Sequence, residues 1–177
     1  MQMEKIVSVH EPESFNSEKI VFEKIDTLIF TVLFITSFGL YGLWWMYKSW
    51  KLFNDKDKID IMPAMRTLFC VFYLSALFSM ILDLAKMKGY SKSYSSILLF
   101  AGFIVFNLLG KLPEPYFLIS FISISCLIAP FKALNYAVDY CDEIEVVNLR
   151  FFNIRQSLII FLGGVFWILI IIGLCLK

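Results

Sequence analysis

The chain has 177 residues, of which 59% are hydrophobic and 18% charged, with a mean hydropathy of +0.75 and a formal net charge of +1. A water-soluble domain of this length cannot bury so much apolar surface, and a near-neutral chain offers no cation cluster for nucleic-acid phosphates. The composition therefore excludes an ordinary soluble domain and implies one integral membrane unit whose partners are the lipid bilayer and protein.

Residues 1–26 read as a polar tail, carrying three lysines against six acids and no apolar stretch that a signal peptidase would cut. Residues 27–177 read as a single helical membrane domain, its first apolar segment serving as an uncleaved signal. Apolar segments fall at about 27–47, 67–84, 95–110, 116–131 and 157–176. The first and last, about 20 residues each, are long enough at ~1.5 Å per residue to cross a hydrocarbon core of ~30 Å. The third and fourth flank Gly110-Lys-Leu-Pro-Glu-Pro115, whose prolines and glycine end both helices and predict a helical hairpin. Helical spacing continues from Phe131 to Val146, with Pro130 expected to kink the fourth helix.

Segment two is ambiguous. Arg66 opens it, and Asp83 followed by Lys86 closes it after about 16 uncharged residues, a length that suits either a short span or a helix dipping into one leaflet. If all five segments cross, the 16 cations divide nine against seven; if the second only dips, they divide eleven against five. The positive-inside rule favours the second arrangement. The expected fold is an all-α integral membrane protein with about four transmembrane helices plus one re-entrant or short helix, five spans being the alternative. Lys48 to Ser95 and Lys132 to Arg155 would face the cytoplasm, with both termini outside, in a bacterial inner membrane.

The first segment ends in Ser37-Phe-Gly-Leu-Tyr-Gly-Leu-Trp-Trp-Met-Tyr-Lys-Ser-Trp-Lys51. Tyr41, Trp44, Trp45, Tyr47 and Trp50 are expected at the headgroup level, with Lys48 and Lys51 in water. Gly39 and Gly42 either break the helix, admit a close neighbour or act as a hinge. At this motif the chain resembles small uncharacterised bacterial multi-pass membrane proteins with a Phe-Gly-Leu-Tyr-x-x-Tyr-Trp-Phe-Tyr-Lys-Asn-Trp-Lys-like signature. The likeness extends through Pro63-Ala-Met-Arg66, Leu112-Pro-Glu-Pro-Tyr116, Lys132-Ala-Leu-Asn135 and the Arg150 to Gly164 stretch, about residues 20–177 in all. Trp44-Trp45-Met46 replaces the Tyr-Trp-Phe run, and Ser49 stands where asparagine is usual. The resemblance implies a membrane architecture and supplies no catalytic residues.

Four dispersed cysteines and one histidine, His10, give no metal or redox motif, so no cofactor is expected. Asp83 is the one acid within an apolar segment, either paired with Lys86 on one helix face or an ion site. Asn107, Ser120 and Ser123 are candidate intramembrane polar contacts, for packing or for lining a path. Lys132, Asn135 and Asp139 share one helix face, a candidate cytoplasmic docking surface or simply a solvated one. The reading that follows is a non-enzymatic scaffold, anchor or sensor acting through its cytoplasmic face and self-association. An oligomeric channel or small transporter is the alternative.

Overall fold

The computed structural model describes residues 20–58, 61–113, 116–148 and 154–175. Most of the chain is helical, and the helices rest on a small sheet. Strand β1 (Ile20–Lys24) leads into α1 (Thr27–Thr36), and α2 (Leu40–Asp57) follows after a tight reversal. The short α3 (Pro63–Leu68) precedes α4 (Cys70–Met87), and α5 (Ser96–Leu109) precedes a 3-10 helix (Tyr116–Ser123) that continues into α6 (Ile124–Asp139). Strand β2 (Ile144–Asn148) and α7 (Ile154–Cys175) complete the order. Among the described residues, three helical windows are long and apolar enough to cross a membrane: Cys70–Met87, Leu118–Asp139 and Gln156–Gly173; Thr27–Thr36 and Ser96–Leu109 are shorter apolar helices.

The sheet lies in stretches read as a polar tail and as helical spacing up to Val146; the helix instead ends at Asp139, and Ile144–Asn148 form β2. β1 and β2 pair in parallel, Ile20 opposite Ile144 and Lys24 opposite Asn148. Both alternate as a half-buried strand should, with Phe22 and Ile144 inside and Val21 and Glu145 outside. Because the strands are parallel, the helices that follow them, α1 and α7, leave the sheet in the same direction and lie side by side.

Residues 27–47, expected to form one continuous span, fold back on themselves. Asp26 caps α1 by accepting from the Thr27 amide at 2.6 Å, but ten residues later the helix stops. Phe38 and Gly39 both take left-handed backbone, at φ of 53° and 85°, and the Gly39 amide donates to the Phe34 carbonyl at 2.8 Å. Glycine adopts that conformation without Cβ strain, so the turn is encoded where the sequence suggested a break. α2 then runs back along α1. The Cβ that Gly42 lacks would lie 2.7 Å from the Phe34 ring, Trp45 meets Phe30 edge-on at 5.8 Å between centroids, and Lys48 forms an ion pair with Glu23 of β1.

The core is built around this hairpin. Phe30 stacks on Phe131 of α6 at 4.2 Å, and Leu33, Phe78, Leu127 and Leu134 are fully enclosed. α5 and α6 run antiparallel, with Cys126 Sγ at 3.0 Å from the position of a Gly102 Cβ and Ser120 beside Gly110. The expected hairpin of segments three and four is thus present, although Glu114 and Pro115 of its turn lie outside the described residues, as do residues 1–19. Pro130 sits inside α6.

Around α4 the chain doubles back differently. Its carboxyl end lies beside that of α6, where Tyr90 and Tyr136 have ring centroids 5.1 Å apart. The following loop runs back along α4, so that the Tyr94 hydroxyl donates to the Phe78 carbonyl at 2.9 Å. Burial, with smaller contributions from Tyr90 and Asp83, raises the Tyr94 phenol above its usual range.

Candidate functional site

The hairpin leaves a groove of about 600 Å³ between α2 and α7, within the size range of small-molecule sites. One end lies at the sheet and the other at the hairpin tip. From Lys48 back to Leu40 the α2 wall rises eight residues, roughly 12 Å. The geometry gives the groove a polar end and an apolar end.

At the polar end stand Glu23 of β1, Lys48 and Tyr41 of α2, and Gln156 of α7, all lining the groove. Glu23 and Lys48 form an ion pair with side chains 44% and 27% exposed, so either charge can exchange its partner for a solvent-borne one at small cost. The Lys48 ammonium also lies 5.9 Å from the Trp44 ring centroid. Deeper in, the Gln156 amide donates to the Tyr41 hydroxyl at 3.2 Å; both residues are buried. This bond ties the returning arm of the hairpin to the start of α7.

The deep end is apolar in effect although Thr36 and Ser37 line it. The Thr36 hydroxyl donates to the Val32 carbonyl at 2.8 Å, while Ser37 Oγ donates to the Phe34 carbonyl and accepts from the Tyr41 amide at 2.9 Å. With those groups satisfied by local backbone, Leu40, Ile159, Leu162 and Phe166 set the character of the wall. Phe38 closes the end. Its ring stacks on Trp167 at 5.3 Å, meets Phe166 at 5.5 Å and lies 5.9 Å from Phe121. Trp167 further donates its indole N–H to the Ile35 carbonyl at 3.2 Å, on an oxygen that also accepts from the Phe38 amide at 3.2 Å.

Close approach of α7 to the tip depends on Gly163. A Cβ there would lie 2.0 Å from the Thr36 carbonyl oxygen and 2.7 Å from its carbon, whereas one on Gly164 would meet nothing within 4 Å. Two adjacent glycines that look alike in sequence thus have different roles.

The residues singled out in sequence distribute unevenly. Gly39 and Gly42 make the turn and the hairpin contact. The aromatic band splits: Tyr41, Trp45 and Trp50 are buried in the core instead of standing together at a membrane surface, and only Trp44 is substantially exposed. The Trp45 indole nitrogen is buried without a hydrogen-bond partner among the described residues. Trp50 lies under Arg66, whose guanidinium carbon is 4.6 Å from its ring centroid and 5.3 Å from that of Tyr73. Lys51 is exposed.

Asp83 is exposed on α4, and the ion pairs among the described residues do not include one with Lys86. Asn107 is exposed and donates to the Phe103 carbonyl of its own helix at 2.8 Å, Ser120 adjoins Gly110, and Ser123 is buried where the 3-10 helix meets α6. Of the face at Lys132, Asn135 and Asp139, Lys132 and Asp139 are exposed and Asn135 is half-buried. Asn135 donates to the Ile25 carbonyl at 3.2 Å and Asp139 pairs with Lys24, so both fasten β1 to α6.

Compared with known proteins, the chain matches no family model, no curated protein and no solved structure. Glu23 and Gln156 are the site residues that sequence reasoning missed. Glu23 was masked by its place in a polar tail and Gln156 by being one amide at the mouth of an apolar helix; the alternation Ile20-Val-Phe-Glu was the available signal for the first.

Proposed function

We propose that the protein is a non-enzymatic membrane sensor that takes an amphiphile from one leaflet into the α2–α7 groove and presents a polar platform, carrying the sheet, on the cytoplasmic side. The observation that carries this reading is the folded-back hairpin. α1 is ten residues long, about 15 Å, or half of a ~30 Å hydrocarbon core, so a hairpin entering from one side ends near mid-bilayer. A groove running from that tip to a charged mouth matches one leaflet in depth and polarity.

The same contacts support an arrangement of spans. Lys48 pairs with Glu23, Lys24 pairs with Asp139, and Tyr136, one turn before Asp139, lies against Tyr90 just past α4, which brings all of these to one level. The chain between Lys48 and Tyr90 leaves that level and returns. Two crossings there would need two long apolar helices, and among the described residues of that stretch α4 alone qualifies, since α2 ends in the polar run Asn54-Asp-Lys-Asp57. This supports α4 lying along the surface although it is long enough to cross, with the crossings assigned to α6, α7 and the shorter α5 that pairs with α6. Only Lys111 and Lys177 then fall on the far side, against fourteen of the 16 cations in the sequence segments assigned to the sheet side. That bias is much stronger than either division obtained with a crossing first segment, and it supports a cytoplasmic sheet side.

The test is lipid binding by full-length protein purified in mild detergent. Native mass spectrometry after controlled delipidation and re-addition of a mixed phospholipid extract is expected to show one retained amphiphile per chain. Leu162→Trp, which fills the groove from an outward-facing position, is expected to lower that occupancy about tenfold without altering helicity. Retention that Leu162→Trp leaves unchanged, or no retention at all, overturns the reading.

A further inference from the structure

The polar mouth carries information about which amphiphile fits. Resting on the groove reading above, we infer that the ligand is a zwitterionic phospholipid with a primary ammonium, its phosphate on Lys48 and its ammonium on Glu23. Each mouth residue contributes one formal charge, of opposite sign, and they already pair with each other. A headgroup with both charges replaces one ion pair by two and leaves neither partner alone. An anionic headgroup would satisfy Lys48 but strand Glu23 beside a second negative charge, and a cationic one would do the converse. The mouth therefore selects for a balanced head.

A second feature separates the two common zwitterionic heads. A quaternary ammonium is recognised through aromatic faces, because it has no N–H to donate. The aromatic face at the mouth belongs to Trp44, and the Lys48 ammonium already lies over it at 5.9 Å, with Tyr47 stacked on the same indole at 5.5 Å. Glu23 offers a carboxylate instead, 44% exposed, which rewards N–H donors. Below the head, the buried pair of Tyr41 and Gln156 supplies a hydroxyl and an amide at the depth of a glycerol ester, and Leu40, Ile159 and Leu162 take the chain.

The experiment compares headgroups at constant acyl chains. Full-length protein is delipidated in detergent and titrated with phosphatidylethanolamine, phosphatidylcholine or phosphatidylglycerol, with occupancy read by native mass spectrometry. Phosphatidylethanolamine is expected to bind at least about fivefold more tightly than either competitor. Glu23→Gln should reduce the margin over phosphatidylcholine to within about twofold and bring phosphatidylglycerol level with or above phosphatidylethanolamine, Lys48→Gln should weaken all three, and Asp139→Asn, which breaks the neighbouring pair outside the groove, leaves the preference intact. Equal binding of all three by the wild-type chain overturns the headgroup assignment and leaves the groove standing. A preference untouched by both mouth variants also overturns it. Failure of every lipid to bind removes the groove reading as well.

Discussion

Gly163→Ala tests the contact on which the hairpin's position depends, and Gly164→Ala is its built-in control. In an exposed helix interior, glycine to alanine stabilises by up to about 1 kcal/mol because alanine has the better helix propensity. Gly164 has open space at its Cβ position, so that gain, or no change, is expected there. At Gly163 the added methyl would lie 2.0 Å from a backbone oxygen that no rotamer change can move. Reaching ordinary contact requires α7 and the tip of α1 to separate by roughly an ångström or more. That shift stretches the Trp167 bond to the Ile35 carbonyl and loosens the stack of Phe38 on Trp167, at a cost of about 1–3 kcal/mol for overpacking. Set against the propensity gain, the net is a loss of about 1–2 kcal/mol, which at roughly 2–4 °C per kcal/mol for a chain of this size lowers Tm by about 2–8 °C. Thermal unfolding in one detergent, followed by circular dichroism, reads both variants. Equal melting of Gly163→Ala and Gly164→Ala would refute the proposed contact.

Gly39→Ala should destabilise by about 1–2 kcal/mol through its left-handed backbone alone, since its Cβ would make only ordinary contact at 3.5 Å; Gly39→Asn should recover part of the loss in the same thermal assay. Arg66→Ala is expected to cost about 0.5–2 kcal/mol and to shift Trp50 emission, with Arg66→Lys intermediate because an ammonium covers one ring but not two; unchanged emission in Arg66→Ala would count against the sandwich. Tyr94 should make stability fall at alkaline pH. Its folded phenol titrates higher than the unfolded one, so its contribution is complete below about pH 10 and lost as pH rises above it. Tyr94→Phe should lower stability at neutral pH by about 1 kcal/mol through loss of the bond to Phe78 and flatten the alkaline slope; an unaltered slope contradicts the assignment.

Helical content and the α5–α6 hairpin were legible in sequence because they follow from local rules: long apolar runs, and a turn whose glycine and prolines cannot continue a helix. The reversal at Phe38 and Gly39 was only half legible. Glycine marked a break, but the direction of the chain after it depends on whether Phe34 accepts Gly42 against its ring, a tertiary contact. Trp45 and Trp50 misled for a related reason. Aromatics followed by lysines look the same in sequence whether they meet headgroups or a protein core, and only the return of α2 along α1 puts Trp45 against Phe30 and Phe131. The candidate site was the least legible part. Its mouth joins Glu23, Lys48 and Gln156, residues far apart in the chain, through a parallel strand pair that has no local signature beyond alternation.

The re-entrant hairpin and the surface position of α4 are tested together by labelling single cysteines in sealed membrane vesicles with a membrane-impermeant maleimide. The four native cysteines are first replaced by serine, and cysteine is then placed at the exposed positions Val21, Asp55, Ser91 and Lys111. Val21, Asp55 and Ser91 are expected to label from one face and Lys111 from the other. Labelling of Val21 and Asp55 from opposite faces would mean that the first apolar segment crosses, and labelling of Asp55 and Ser91 from opposite faces would mean that α4 does; either result contradicts the account.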